Sequence, residues 1–406
     1  MKREVFILLV VALLAVGLIF GCAPKEVAKC TSPEDNPQHH YLRGMEALEQ
    51  KNTDLAQSKF ERALYCDDKF APGHNGFAIV TAVKAKKQKD VGFKKVETAR
   101  ALEHLKKGGK LSGSAEDKFD YLLAVIRVQT ALKADQDWLK AAEEAFDEAR
   151  VLKVEETKLT YYQGTEAAHY YLGLAYLKAL EFQKARDKFS SVLSAKREGK
   201  WNEKADKAWK RTDKIVRAMA GITVGDVGKN IAIKNAITRG DLAALLIDEM
   251  KIDKLFAGRI PVASELAKKK AEFTPADIQN HQFKDEVLTI MKWKIRGLEP
   301  KYDQTTMAYL FKPEDVVKRG EMALILEDVL IKLTGDEKIA TAFFGHEKSP
   351  FPDVRKTSPF YNAVMNMTTR GIMEGELSGE FRVSDPVDGA EALLGIRVLK
   401  QKMNIY

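Results

Sequence analysis

Phe351-Pro352-Asp353-Val354 opens a stretch that runs through Phe360, Tyr361, Ala363 and Val364 to Arg370-Gly371-Ile372-Met373-Glu374-Gly375. It closes with Phe381, Asp385-Pro386-Val387 and a helix start, Asp388-Gly389-Ala390-Glu391. The residue types spell an aspartate turn, a helix, a Gly-Ile turn with a second glycine, a short loop and a second helix. Working outward, a second copy fits from Ala276 to Leu333. It has Asp277, Ile278 and His281, then Val287 and Ile290, Ile295-Arg296-Gly297-Leu298, and Phe311, Pro313 and Val317 to Glu321. A first copy is shorter at its start, where Trp209, Ile215, Gly221, Ile222 and Gly225 lead into Ile237-Thr238-Arg239-Gly240-Asp241. Its opening helix continues from the helical segment before it, which predicts rigid coupling of the two halves of the chain.

The three copies, at about 204–252, 275–333 and 350–402, resemble the S-layer homology (SLH) repeat, most closely in the third. The resemblance implies one mostly helical, pseudo-threefold unit over 204–406. The family's ligand motif is Thr-Arg-Ala-Glu at the start of the second helix. The corresponding residues are Thr238-Arg239-Gly240-Asp241, Lys318-Arg319-Gly320-Glu321 and Asp388-Gly389-Ala390-Glu391. Thr238 with Asp241, and Asp388 with Glu391, have the spacing of a helix cap. A cap does not explain an arginine in the first helical turn, where the macrodipole opposes a cation. An anion held by the guanidinium and free helix amides would explain it. The resemblance implies that Arg239 and Arg319, with Thr238 and the turn glycines Gly297 and Gly371, bind an acidic group of a cell-wall polysaccharide or peptidoglycan. With Gly389 in the arginine position of the third copy, two competent pockets are expected at most.

From Tyr41 to Ala218 the chain is rich in Ala, Leu, Lys and Glu at helical spacing, with Pro72 as its one proline. A fixed-period pattern recurs there. Gly44, Ala56, Phe60 and Ala63 return as Gly173, Ala185, Phe189 and Val192, and Ala142, Phe146 and Ala149 repeat the last two intervals. Ala, an aromatic four later and a small residue three after that share one helix face. These residues resemble the tetratricopeptide (TPR) repeat, which implies stacked antiparallel hairpins over 38–203 with a concave surface for a protein partner. About four irregular hairpins are expected, with a loop inserted from Gly108 to Asp117. The fold class is therefore all-α.

Lys2 and Arg3 precede an uncharged apolar stretch from Val5 to Phe20 that ends at Gly21-Cys22. That pattern reads as a secretory signal peptide over 1–21, with an uncleaved N-terminal anchor as the alternative, and its apolar run is shorter than a membrane-spanning helix requires. Leu18-Ile19-Phe20-Gly21-Cys22 resembles the bacterial lipobox, which implies acylation at Cys22, a membrane anchor and an exported protein. Ala23 and Pro24 after the cysteine resemble lipoproteins sorted to an outer membrane facing the periplasm. Residues 22–37, with Pro24, Pro33 and Pro37, read as a tether. In an oxidising envelope Cys30 and Cys66 either form a disulfide or remain two free thiols, which a mass shift on reduction decides.

Of 406 residues, 66 are Lys or Arg and 58 Asp or Glu, a formal charge of +8. Residues 38–218 carry 35 basic against 27 acidic residues and residues 219–406 carry 27 of each, so the first half holds the excess. Its richest stretch runs from Lys84 through Lys86, Lys87, Lys89, Lys94 and Lys95 to Lys110. This reads first as a solvated face and second as a contact with anionic head groups or glycan. Export argues against nucleic acid. Three cysteines exclude a disulfide framework and a cysteine-built zinc module. No nucleophile elbow, phosphate loop or zinc-protease motif is present, and neighbouring acids such as Glu143 and Glu144 point apart on a helix. His39 and His40 adjoin as a surface pair, so no metal and no cofactor are expected. The sequence reads as a non-catalytic envelope lipoprotein that joins membrane to wall and recruits a protein partner. The competing reading is an assembly or secretion factor whose helical repeats bind a client, with the C-terminal repeats a degenerate contact scaffold.

Overall fold

The computed structural model describes residues 30, 32–195, 198–221, 223–259, 273–345 and 348–404; the leader and Cys22 lie outside them. The fold is all-α, with a single two-stranded hairpin among the described residues. Two compact units are present: one reaches Leu132 and takes in Val151–Gly164, and the other comprises Lys133–Arg150 and Thr165 onward. No helix of the described residues is long and apolar enough to cross a membrane.

The first unit contains α1 (Pro37–Glu49), α2 (Thr53–Cys66), α3 (Ala71–Lys87), α4 (Val91–Leu111) and α5 (Ala115–Leu132). Asn36 caps α1 by accepting from the His39 amide at 2.8 Å, and Asn52 caps α2 by accepting from the Leu55 amide at 3.1 Å. Ala56, Phe60 and Ala63 are buried on one face of α2, as their spacing predicts. A β-carbon on Gly44 would lie 2.5 Å from the Phe60 ring, and one on Gly76 2.2 Å from it. Two glycines from α1 and α3 thus let both helices close on the same aromatic ring. Cys30 and Cys66 are bonded, with Cα atoms 5.4 Å apart.

The loop expected from Gly108 to Asp117 is shorter than the glycines imply. Gly108 and Gly109 are both helical, and only Ser112, Gly113 and Ser114 separate α4 from α5. A β-carbon at Gly108 would lie 2.0 Å from the Asn75 amide oxygen, and one at Gly109 2.7 Å from the Tyr121 ring. These glycines serve close helix packing. Around α5, Tyr41 donates to the buried Asp120 carboxylate, and Asn75 donates to its other oxygen at 2.8 Å.

The second unit begins with α6 (Trp138–Ala149), α7 (Glu166–Lys178), α8 (Phe182–Ser194) and α9 (Lys200–Met219). A β-carbon on Gly173 would lie 2.6 Å from Phe189, repeating the Gly44–Phe60 arrangement. The continuing first helix predicted from the sequence is α9, which packs on α8 on one side and on the C-terminal helix α16 (Gly389–Lys402) on the other. Phe182 of α8 and Ile215 and Ala218 of α9 belong to the same core as the repeats.

The remaining elements are α10 (Asp226–Ala232), α11 (Arg239–Ala244, continued by one π turn), α12 (Ile252–Arg259), α13 (Lys284–Lys292), β1 (Lys301–Asp303), β2 (Ala308–Leu310), α14 (Arg319–Thr334) and α15 (Tyr361–Thr369). A ring of three backbone hydrogen bonds joins the repeats. Ile237 N–H donates to Val387 at 2.9 Å, Val387 to Val317 at 3.0 Å, and Val317 to Ile237 at 3.0 Å. Each repeat thus hands one strand-like residue to the next just before its second helix. This closed cycle is the pseudo-threefold axis the three sequence copies imply. The β1–β2 hairpin, Lys301 opposite Leu310, elaborates what reads in sequence as the short loop of the second copy.

A candidate binding groove beside Arg319

Each aspartate turn is built from a carboxylate bound to its own repeat. Asp353 accepts from the Phe381 amide at 2.8 Å and the Val383 amide at 2.9 Å. Asp277 does the same with Phe311 and Lys312, at 3.2 and 2.6 Å. These bonds fold back the loop between the Gly-Ile turn and the second helix, so that a row of backbone carbonyls faces the preceding repeat.

The motif arginines fill that position. Arg239 sends Nε to Phe311 O at 2.9 Å, Nη1 to Gly297 O at 2.6 Å and Nη2 to Glu299 O at 2.8 Å. Arg319 sends Nε to Phe381 O at 2.7 Å and Nη2 to Glu374 O at 2.6 Å, and pairs with the Glu391 carboxylate. Each guanidinium also lies over the phenylalanine whose carbonyl it binds, at 4.8 Å for Phe311 and 4.6 Å for Phe381. Arg239 is 4% exposed and Arg319 1%. Burial lowers the pKa of both, Arg319 to about 10, which leaves them charged at neutral pH.

This corrects the expectation that the helix amides are free to hold an anion beside the guanidinium. The amides are not free: Arg239 N–H donates to Asp315 O and Gly240 N–H to Pro313 O, while Arg319 N–H donates to Asp385 O and Gly320 N–H to Val383 O, all at 2.9 or 3.0 Å. The opposed macrodipole is met by the carbonyl oxygens of the next repeat. Thr238 is likewise committed. Its hydroxyl accepts from the Asp241 amide at 3.2 Å, and the Asp241 carboxylate accepts from the Thr238 amide at 3.0 Å, a complete capping box. Gly297 and Gly371 supply the left-handed turn residues, with φ of +90° and +64°.

The third copy lacks its arginine for a steric reason. A β-carbon on Gly389 would lie 1.8 Å from the Ile231 carbonyl oxygen and 2.9 Å from the Ala232 Cα. The next repeat around the ring is the shortened first one, and α10 occupies the space where a Gly-Ile turn would otherwise receive a side chain.

A groove of about 360 Å³ opens between α9 and the third repeat, with Arg319 and Glu391 in its lining. Its wall from α9 presents Trp209, Lys210, Asp213, Lys214 and Arg217, and its opposite wall is the turn Gly371–Leu377. Asp213 is shared by Arg186 at 3.0 Å and Arg217 at 3.1 Å, and Lys210 pairs with Asp206 at 2.8 Å, whereas Lys214 has no ion pair among the described residues. The groove therefore offers an indole, a row of cations on one helix and polar backbone from a turn. Sequence reasoning found Gly371 and Arg319 but not Lys214 or Arg217, because nothing in a helical lysine-rich stretch marks the side that faces a turn more than 150 residues later.

The S-layer homology domain model matches residues 350–393, which span the third repeat from its opening turn into α16. The chain thus carries an S-layer homology domain, which associates it with the cell wall or envelope. Comparison with curated proteins found no match, and neither did comparison with solved structures.

Proposed function

We propose that the protein is a non-catalytic envelope lipoprotein that holds a cell-wall glycan in the groove between α9 and the third repeat, and engages a protein partner through its TPR-like hairpins. The observation that carries the wall-binding reading is the groove itself, which lies along the segment matched by the S-layer homology model. Trp209 offers an aromatic face to a sugar ring, and Lys214 and Arg217 offer charge to an acidic substituent. Arg319 sits beneath them and fixes the turn that forms the opposite wall. Acylation at Cys22 would place the other end of the chain in a membrane, outer membrane being the reading the sequence favours. The Gly44–Phe60 and Gly173–Phe189 contacts support the helical-hairpin part.

The test is co-sedimentation of the protein lacking residues 1–22 with purified wall sacculi, beside a variant carrying Lys214→Gln and Arg217→Gln. Sedimentation of the parent and loss in the variant, at unchanged melting temperature, is the expected result. Equal binding by both moves the site out of this groove. A parent protein that stays in the supernatant removes the wall tether and leaves the client-binding assembly factor as the function.

A further inference from the structure

The turn between α3 and α4 brings exposed apolar side chains together with cations that have no ion pair among the described residues. Val91, Phe93 and Val96 are 80%, 66% and 62% exposed, and Phe93 and Val96, three residues apart, share a helix face. Lys86, Lys87, Lys89, Lys94 and Lys95 surround them, all exposed and none in an ion pair among the described residues. Lys84, one turn earlier, differs in being tied to Asp54 at 2.7 Å. The nearby acids are occupied: Asp90 caps α4 by accepting from the Phe93 amide at 2.8 Å, and Glu97 lies 3.9 Å from Arg100. From Val91 to Val96 every residue is exposed, and burial begins only toward Ala101.

We infer that this turn docks on a membrane surface rich in anionic phospholipid. Three apolar side chains are too few for a stable protein interface, which needs about 800 Å² from each partner. They suffice for shallow insertion at the boundary between head groups and acyl chains, where lysines meet lipid phosphates and an aromatic side chain reaches below them. Asp90 fixes the first turn of α4, so Phe93 is presented on an ordered helix rather than on a loose tip.

The experiment is amide hydrogen exchange of the full chain on vesicles of phosphatidylcholine alone and of phosphatidylcholine with phosphatidylglycerol. Any lipid anchor acts equally on both. Amides 90–97 slow on the phosphatidylglycerol vesicles only, and 0.5 M salt abolishes the difference. Affinity for the anionic surface falls about fivefold for each lysine neutralised. Lys94→Gln with Lys95→Gln, and separately Phe93→Ser with Val96→Ser, therefore each erase the effect. Equal exchange on the two vesicle types overturns the assignment. So does protection by soluble polyglutamate without protection by phosphatidylglycerol, an outcome that gives the surface to an acidic protein.

Discussion

Arg319, the first residue of α14, forms an ion pair with Glu391, the third residue of α16, so that the motif arginine of one repeat is held by the motif acid of the next. In the first two repeats that acid folds back on its own helix start, Asp241 onto the Thr238 amide and Glu321 onto the Lys318 amide, at 3.0 and 2.9 Å. In the third it is diverted to the neighbour. Removing Arg319 therefore leaves the part-buried Glu391 carboxylate and the carbonyls of Phe381 and Glu374 without donors. Arg319→Ala should destabilise the second unit by about 3–5 kcal/mol. Arg319→Lys should recover little of that, because a point charge cannot serve three acceptors held in a fork. Urea unfolding followed by tryptophan fluorescence checks this. A ligand-only arginine would lose binding and leave the transition where it was, which is the result that would sink the structural role.

Gly389 gives a prediction of opposite intent. Restoring the family motif by Gly389→Arg looks, from sequence, like adding a third binding pocket. The structure has backbone 1.8 Å from the new β-carbon, and backbone cannot rotate aside. Even Gly389→Ala should cost about 3 kcal/mol, at the upper end of overpacking penalties, because α10 must move away from α16. A thermal melt decides the matter. A Gly389→Arg protein that melts with the parent would show that the first repeat can open to receive a side chain.

Local chemistry was legible in the sequence, and its partners were not. Ala56, Phe60 and Ala63 declare their shared face through spacing alone. Thr238 and Asp241 form the capping box their three-residue interval predicts. Arg319 is the contrary case. An arginine at a helix start is visibly anomalous, but the carbonyls that satisfy it lie 55 and 62 positions away, beyond the reach of any periodicity. Gly108 and Gly109 misled for a related reason: glycine signals both loops and close packing, and only Asn75 and Tyr121 in place show which applies.

The Cys30–Cys66 bond closes a loop spanning 36 positions of separation and ties the chain before α1 to the end of α2. The same corner carries Asp35, which accepts from Arg62 Nε at 2.9 Å and lies 2.7 Å from His40 Nε2. The Arg62 and His40 contacts pull the Asp35 carboxyl well below the usual range. Opening the bond frees a loop whose closure entropy corresponds to about 3–4 kcal/mol. The first unit should therefore melt several degrees lower after reduction, and Cys66→Ala should match the reduced parent. Differential scanning calorimetry with and without reductant reads the shift. A first-unit transition unmoved by reduction would mean that the Asp35 contacts alone hold this corner.

Two groups in the first unit, the buried Asp120 and the half-buried His104, set its response to pH with opposite signs. Burial, only partly offset by hydrogen bonds from Tyr41 and Asn75, raises the Asp120 carboxyl from 3.8 to about 6. The fold thus favours its protonated form, and that stabilisation is complete below pH 3.8 and lost as pH rises through about 6. Burial, with the nearby His74, lowers His104 from 6.5 to about 4, so the fold favours the neutral ring. That stabilisation is present above pH 6.5 and lost as pH falls toward 4. Between pH 4 and 6 the two contributions oppose each other. Asp120→Asn keeps both hydrogen bonds if its amide donates to the Tyr41 hydroxyl, and it removes the falling contribution. Its melting temperature relative to the parent should therefore climb as pH goes from 4 to 6.5. For His104→Gln the same difference should decline over that range. Melting curves at half-unit intervals test both slopes, and parallel profiles for the parent and both variants would show that neither group titrates in this window.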